Sequence, residues 1–121
     1  MTDLSSVTAW IDGYVRAWDS NDPDEIGVLF SDDAEYSTAP YREPIRGRER
    51  IVKDWLNRKD EPGETTFEWH PVTITDEVAV VEGTTRYPDQ TYSNLWVIHL
   101  EADGTCRRFV EWWMEHPPAS A

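Results

Sequence analysis

The apolar residues of this chain keep helical spacing up to about residue 58 and then fall into short runs separated by turns, and this one change of period limits the folds open to it. Leu4, Val7, Trp10, Ile11, Tyr14, Val15 and Trp18 recur at three- and four-residue intervals, which places them on one stripe of a helix ending near Ser20-Asn21. Asp22-Pro23-Asp24-Glu25 reads as an N-cap, a proline at the first helical position and a capping glutamate, opening a short second helix that runs to about Phe30. The segment from Ala34 to Gly47 carries too much proline for a helix and begins with a short strand over Glu35 to Thr38. Ile51, Val52, Trp55 and Leu56 mark a third amphipathic helix from Arg48 to about Arg58.

After a loop over Lys59 to Glu64 come four strand-like runs, Thr66–Ile74, Glu77–Arg86, Thr91–Leu100 and Thr105–Met114, joined at Thr75-Asp76, around Pro88-Asp89 and around Asp103-Gly104. Helices first and an antiparallel meander last define an α+β chain, with three N-terminal helices packed on an antiparallel sheet. The 121 residues, 39% apolar with seven Trp, suffice for one core. Residues 1–116 therefore read as one domain and 117–121 as a flexible tail.

Composition excludes several functions. A formal charge of −13 repels phosphate backbones and anionic lipid, so neither nucleic acid nor membrane is expected as a partner. No stretch approaches the ~18 apolar residues of a membrane span, and the N-terminus lacks the pattern of a signal peptide, so a cytoplasmic location is expected. One cysteine and three scattered histidines suggest no disulfide and no metal site. There is no Gly-rich phosphate loop and no nucleophile motif of the Gly-x-Ser-x-Gly kind, and no cofactor is expected.

The turns set approximate registers, and strand alternation then assigns side chains to faces. The last hairpin places Glu111 opposite Trp96, the one before is read to place Glu82 opposite Trp96, and the first places His70 opposite Glu82. One row then reads His70, Glu82, Trp96, Glu111, with Arg86, Tyr92, Asn94 and Trp113 farther up the same face and Phe109 on its apolar floor. The other face collects Phe67, Trp69, Val81, Leu95, Val97, Val110 and Trp112; three helices roof only one face, so a homodimer is expected through this one.

Carboxylates at inward positions of an apolar sheet need a partner or a purpose, because desolvation raises their pKa toward values useful in acid–base catalysis. Glu111 and Glu82 are accordingly the candidate catalytic acids, with His70 beside Glu82 as a group able to orient or relay a proton. Tyr14, Trp18, Tyr36, Trp55, Tyr92, Trp96, Phe109 and Trp113, with Arg86 and Asn94, are the candidate substrate-binding residues, a set suited to a small hydrophobic or aromatic molecule. The basic cluster Arg42, Arg46, Arg48, Arg50 reads as solvated helix and loop charge.

The element order and the segment AEYSTAPYREPIRGRERIVKDW, together with the ending DGTCRRFVEWWMEH, resemble the SnoaL-like branch of the nuclear-transport-factor-2-like superfamily. The resemblance implies a cone-shaped α+β barrel with a curved sheet and a small-molecule pocket. That superfamily includes polyketide cyclases, ketosteroid isomerases, limonene-epoxide hydrolases and non-catalytic binding domains, so fold alone does not select a function. In limonene-epoxide hydrolases the two catalytic aspartates fall, by spacing from the shared Asp-Gly turn, where Glu82 and Glu111 stand, but the arginine between them falls at Val80. The base aspartate of ketosteroid isomerases falls at Thr38-Ala39. Two functions follow as expectations: a cofactor-independent cyclase-, isomerase- or hydrolase-type enzyme acting on a hydrophobic or polyketide-like substrate, or a non-catalytic ligand-binding or dimerisation domain.

Overall fold

The structure, a computed structural model, describes residues 2–59 and 65–117; most of the expected loop at 59–64 and of the expected tail lies outside them. Asp3 and Ser6 form a reciprocal capping box, in which Ser6 N–H donates to Asp3 Oδ1 at 2.9 Å, and this starts α1 (Leu4–Ser20). Asn21, in the left-handed conformation at φ 54°, ends it. Asp22 caps α2 (Pro23–Gly27), which stops three residues short of the expected Phe30. Tertiary burial decides this boundary: Phe30 is fully buried and already paired with Cys106, and Trp10 Nε1–H donates to the Leu29 carbonyl at 2.8 Å. β1 (Phe30–Ser37) is therefore longer than expected, and it pairs with the unforeseen two-residue β2 (Ile45–Arg46). α3 (Arg48–Asn57), β3 (Thr66–Ile74), β4 (Ala79–Arg86), β5 (Thr91–Leu100) and β6 (Cys106–Glu115) follow near their expected limits.

The six strands form one curved, unclosed sheet in the order β2-β1-β6-β5-β4-β3. The sheet is antiparallel throughout except that β1 runs parallel to β6, a correction to the all-antiparallel expectation. No hairpin links those two strands, so no tight turn constrains their direction. Val7, Trp10, Ile11, Tyr14 and Ala17 bury the stripe of α1 on the inner face of the sheet, where the rings of Trp10 and Phe109 lie 5.7 Å apart and those of Tyr14 and Trp96 4.7 Å apart. Among the described residues no helix is long and apolar enough to cross a membrane.

Two of the three hairpin registers stand as expected: Trp96 pairs with Glu111, and His70 with Glu82. The third does not. Pairing Glu82 with Trp96 requires a turn centred on Asp89 alone, whereas the four-residue turn closed by the Tyr87 N–H on the Gln90 carbonyl (2.8 Å) centres between Pro88 and Asp89. Glu82 therefore pairs with Leu95, and Trp96 with Val81. A shift of one residue exchanges the faces of β4 and, with it, β3. His70, Glu82 and Arg86 move to the exposed outer face, where His70 Nε2 lies 3.1 Å from Glu82 Oε1 and Arg86 binds Glu68. Phe67, Trp69 and Val81 move inward, with Phe67 stacked on Trp96 at 4.6 Å and 14°. Gly83 makes room for that ring: a Cβ there would lie 2.6 Å from two carbons of Phe67.

Candidate functional site

A cavity of about 510 Å³ opens between α1, α3 and the far end of the inner sheet face. α1 contributes Tyr14 and Trp18, β1 Tyr36, α3 Trp55, β5 Tyr92, Asn94 and Trp96, and β6 Glu111 and Trp113. All nine were expected from the sequence, and the structure brings them together. Phe109 is fully buried instead, stacked behind Tyr14 and Tyr36 and edge-on to Trp96, so it supports the walls without lining them. His70, Glu82 and Arg86, on the other face, take no part in the lining. Thr85 and the rim residues Arg58, Lys59, Tyr87, Asp89 and Gln90 were missed. The centring of the Pro88-Asp89 turn was the available signal for Thr85, since it sets Thr85 opposite Tyr92.

The polar chemistry of the cavity converges on Glu111. Asn94 Nδ2 donates to Glu111 Oε2 at 2.7 Å and Trp96 Nε1 donates to the same oxygen at 3.1 Å. Oε1 accepts no hydrogen bond among the described residues. Behind Asn94, the buried Thr85 hydroxyl donates to Asn94 Oδ1 at 2.6 Å. Burial pushes the Glu111 carboxyl above its usual range, and the bonds from Trp96 and Asn94 and the charge of Arg58 offset only part of that rise. Arg58 is itself bound to Asp54. Because Oε2 already faces two N–H donors, a proton held by Glu111 has its place on Oε1.

Tyr14 and Tyr36 form the second polar element, their hydroxyls 2.9 Å apart among aromatic rings. Burial raises both phenols far above their usual value; the charges of Tyr36 and Glu111 add to the rise at Tyr14, and that of Glu111 adds to the rise at Tyr36. Both stay protonated across the neutral range, and as one hydroxyl donates to the other, a single phenolic proton is left for a ligand. Among the described residues no group of three or more His, Cys, Asp or Glu is placed to hold a metal ion.

An open α+β cone with helices over one face of its sheet, enclosing an aromatic cavity with the Glu111 carboxyl in its wall, defines the class of this protein. The chain belongs to the SnoaL-like domain family, whose model matches residues 11–113. No curated protein matches it significantly. Among solved structures it is similar to a protein of Kribbella flavida provisionally assigned as a ketosteroid isomerase, at 21% identity and TM-score 0.71, covering 98% of this chain and 86% of the other. An NTF-2-like protein of unknown function from Burkholderia xenovorans LB400 aligns at 15% identity and TM-score 0.74, covering 95% and 88%. An epoxide hydrolase/cyclase-like enzyme with a role in pyran ring formation in the polyether salinomycin aligns at 17% identity and TM-score 0.71, covering 93% of each chain. At these identities the likeness establishes the fold alone.

Proposed function

We propose that the cavity is a cofactor-independent acid–base site in which Glu111 exchanges the proton, acting on a small, mostly apolar or aromatic molecule. The observation that carries this reading is the setting of one carboxyl. Two N–H donors hold Glu111 Oε2, Oε1 has no hydrogen-bond partner among the described residues, and the walls around it are rich in Tyr and Trp. Such desolvation brings a carboxyl toward the pH at which it works as both base and acid. Ionised Glu111 takes a proton from the substrate at Oε1, and protonated Glu111 returns it to another atom of the same molecule. Atoms and charge balance without a co-reactant. The free phenolic proton of the Tyr14–Tyr36 pair is available to an oxygen that gains negative charge in between.

Loss of Glu82 from the row bears on the reaction type. Hydrolysis calls for one group to protonate the leaving oxygen and another to activate water. Among the described lining residues the other carboxylate is Asp89, exposed in the turn at the rim. Proton relocation, as in an isomerisation or ring closure, asks for one exchanging group and suits this cavity better. The names of the relatives, an isomerase and an epoxide hydrolase/cyclase-like enzyme, include both kinds of reaction, so the preference rests on the cavity alone. The aromatic walls support, as second reading, a ligand-binding domain without turnover. The outer face, with Leu95, Val97 and Val110 half-buried beside an exposed Trp112, supports association of two copies in either case.

Glu111→Gln separates the two readings. In an enzyme it should lower turnover on the order of 10²–10⁴-fold with folding intact, while His70→Ala on the outer face leaves turnover unchanged. Wild-type turnover in the Gln variant on a true substrate would remove Glu111 from the mechanism, and unchanged ligand affinity with no turnover in either protein would favour the binding domain.

A further inference from the structure

Thr85 sits in the cavity wall but is only 2% exposed, and its hydroxyl is committed to Asn94. We propose that Thr85 is a positioning residue for Glu111, acting through Asn94 to keep Oε2 an acceptor and so to hold the exchangeable proton on Oε1, the oxygen left free for a ligand. The inference rests on the reading of Glu111 as the exchanging acid.

The two ends of an asparagine amide are chemically opposite, one an acceptor and the other a double donor. Ionised Glu111 has acceptors only, so Asn94 must turn its NH₂ toward it, and Oδ1 then faces Thr85. Thr85 pairs with Tyr92 and Asn94 with Gly83 across β4 and β5, so the hydroxyl and the amide meet on the diagonal of one sheet face. The 2.6 Å contact lies at the short end of the range for a hydroxyl donor. Without that hydroxyl, Asn94 Oδ1 loses its donor, and the amide is held in this orientation only by the carboxylate to which its NH₂ donates. The flipped orientation presents Oδ1 to Glu111 Oε2, which suits a carboxyl whose proton has moved to Oε2, toward the wall. Thr85 therefore bears on the proton's position as well as on how tightly it is held.

The test needs no substrate. Carboxyl ¹³C signals of glutamate-labelled protein are titrated in the wild type, Thr85→Val and Thr85→Ser, with Glu111 assigned by its loss in Glu111→Gln. Thr85→Ser keeps the hydroxyl and should keep the Glu111 midpoint. Thr85→Val should raise it by about 1–2 pH units, the loss of one charge-assisted hydrogen bond to the carboxylate, and should move the acidic limb of any kcat/KM profile equally. A wild-type midpoint in Thr85→Val, or the same displacement in both variants, would overturn the proposal. Should Thr85→Val not fold, Thr85→Ala against Thr85→Ser carries the same comparison. An unmoved midpoint beside an inactive Glu111→Gln refutes the relay alone. A moved midpoint beside a fully active Glu111→Gln refutes the catalytic reading of Glu111 and leaves the relay standing.

Discussion

Gly83→Ala adds one methyl group where β4 passes under the Phe67 ring, and the geometry fixes what it must displace. The new Cβ would stand 2.6 Å from Phe67 Cε1 and Cζ and 2.9 Å from the Glu68 carbonyl oxygen. Ordinary carbon contact begins near ~3.5 Å, so the ring must withdraw by about 1 Å, and the carbonyl, held in the β3–β4 ladder, has little room to follow. Phe67 is stacked on Trp96, so withdrawal disturbs that stack, worth about 0.5–1.5 kcal/mol. Crowding a packed face costs about 1–3 kcal/mol more. Replacing a strand glycine recovers about 0.5–1 kcal/mol of backbone entropy, too little to reverse the sign. A net loss of about 1–3 kcal/mol should lower Tm on the order of 5–15 °C for a domain of this size. Near-ultraviolet circular dichroism should also change as Trp96 shifts. A variant melting at or above the wild type would show that Phe67 does not lie over Gly83, and the face assignment of β3 and β4 would have to be reversed.

Two further expectations concern charge and association. The folded-state pKa of Glu111 lies above its ordinary 4.5, so its contribution to stability is full below that value and is lost as pH rises through the folded midpoint. Glu111→Gln, neutral at every pH, should therefore gain on the wild type as pH rises above about 4.5, by no more than about 1.4 kcal/mol per pH unit in paired urea melts; a gap that stays constant with pH would refute the buried-carboxyl assignment. Val97→Asp places a charge in the middle of the outer face and should convert a dimer to a monomer in light scattering; equal masses for the two proteins, or a monomeric wild type, would remove that face as the interface.

The parts of the fold legible in the sequence were those set by local chemistry. α1 carries its own stripe and cap, and β3 and β5 end where turn residues cluster. The Asp103-Gly104 turn, with Gly104 at φ 89°, fixes the β5–β6 register and thus brought Asn94, Trp96, Glu111 and Trp113 correctly to one face. The Pro88-Asp89 turn holds its centre between two residues, and a half-residue error in locating it was enough to exchange His70 and Glu82 with Phe67 and Val81. A register error of this kind leaves every strand boundary intact, which is why the fold survived it and part of the site did not. The β1–β6 pairing lay beyond local reading, because residues some 75 positions apart meet there with no turn between them. The rim at Arg58, Lys59, Tyr87, Asp89 and Gln90 consists of helix-end and turn residues, whose inward direction is decided by tertiary packing.

The position of β6 has a consequence for how the chain is made. It is the last strand in sequence, yet it lies between β1 and β5 in the sheet and supplies both Phe109 beneath α1 and Glu111 in the cavity wall. During synthesis α1 and β1 emerge before β6 and must wait until residues 106–115 have followed before the surface they bury exists. Contacts of such sequence separation form late and slow folding, and until they form, the apolar stripe of α1 is left uncovered. A chain terminated before residue 106 would therefore lack the strand that joins β2-β1 to β5-β4-β3 in one sheet.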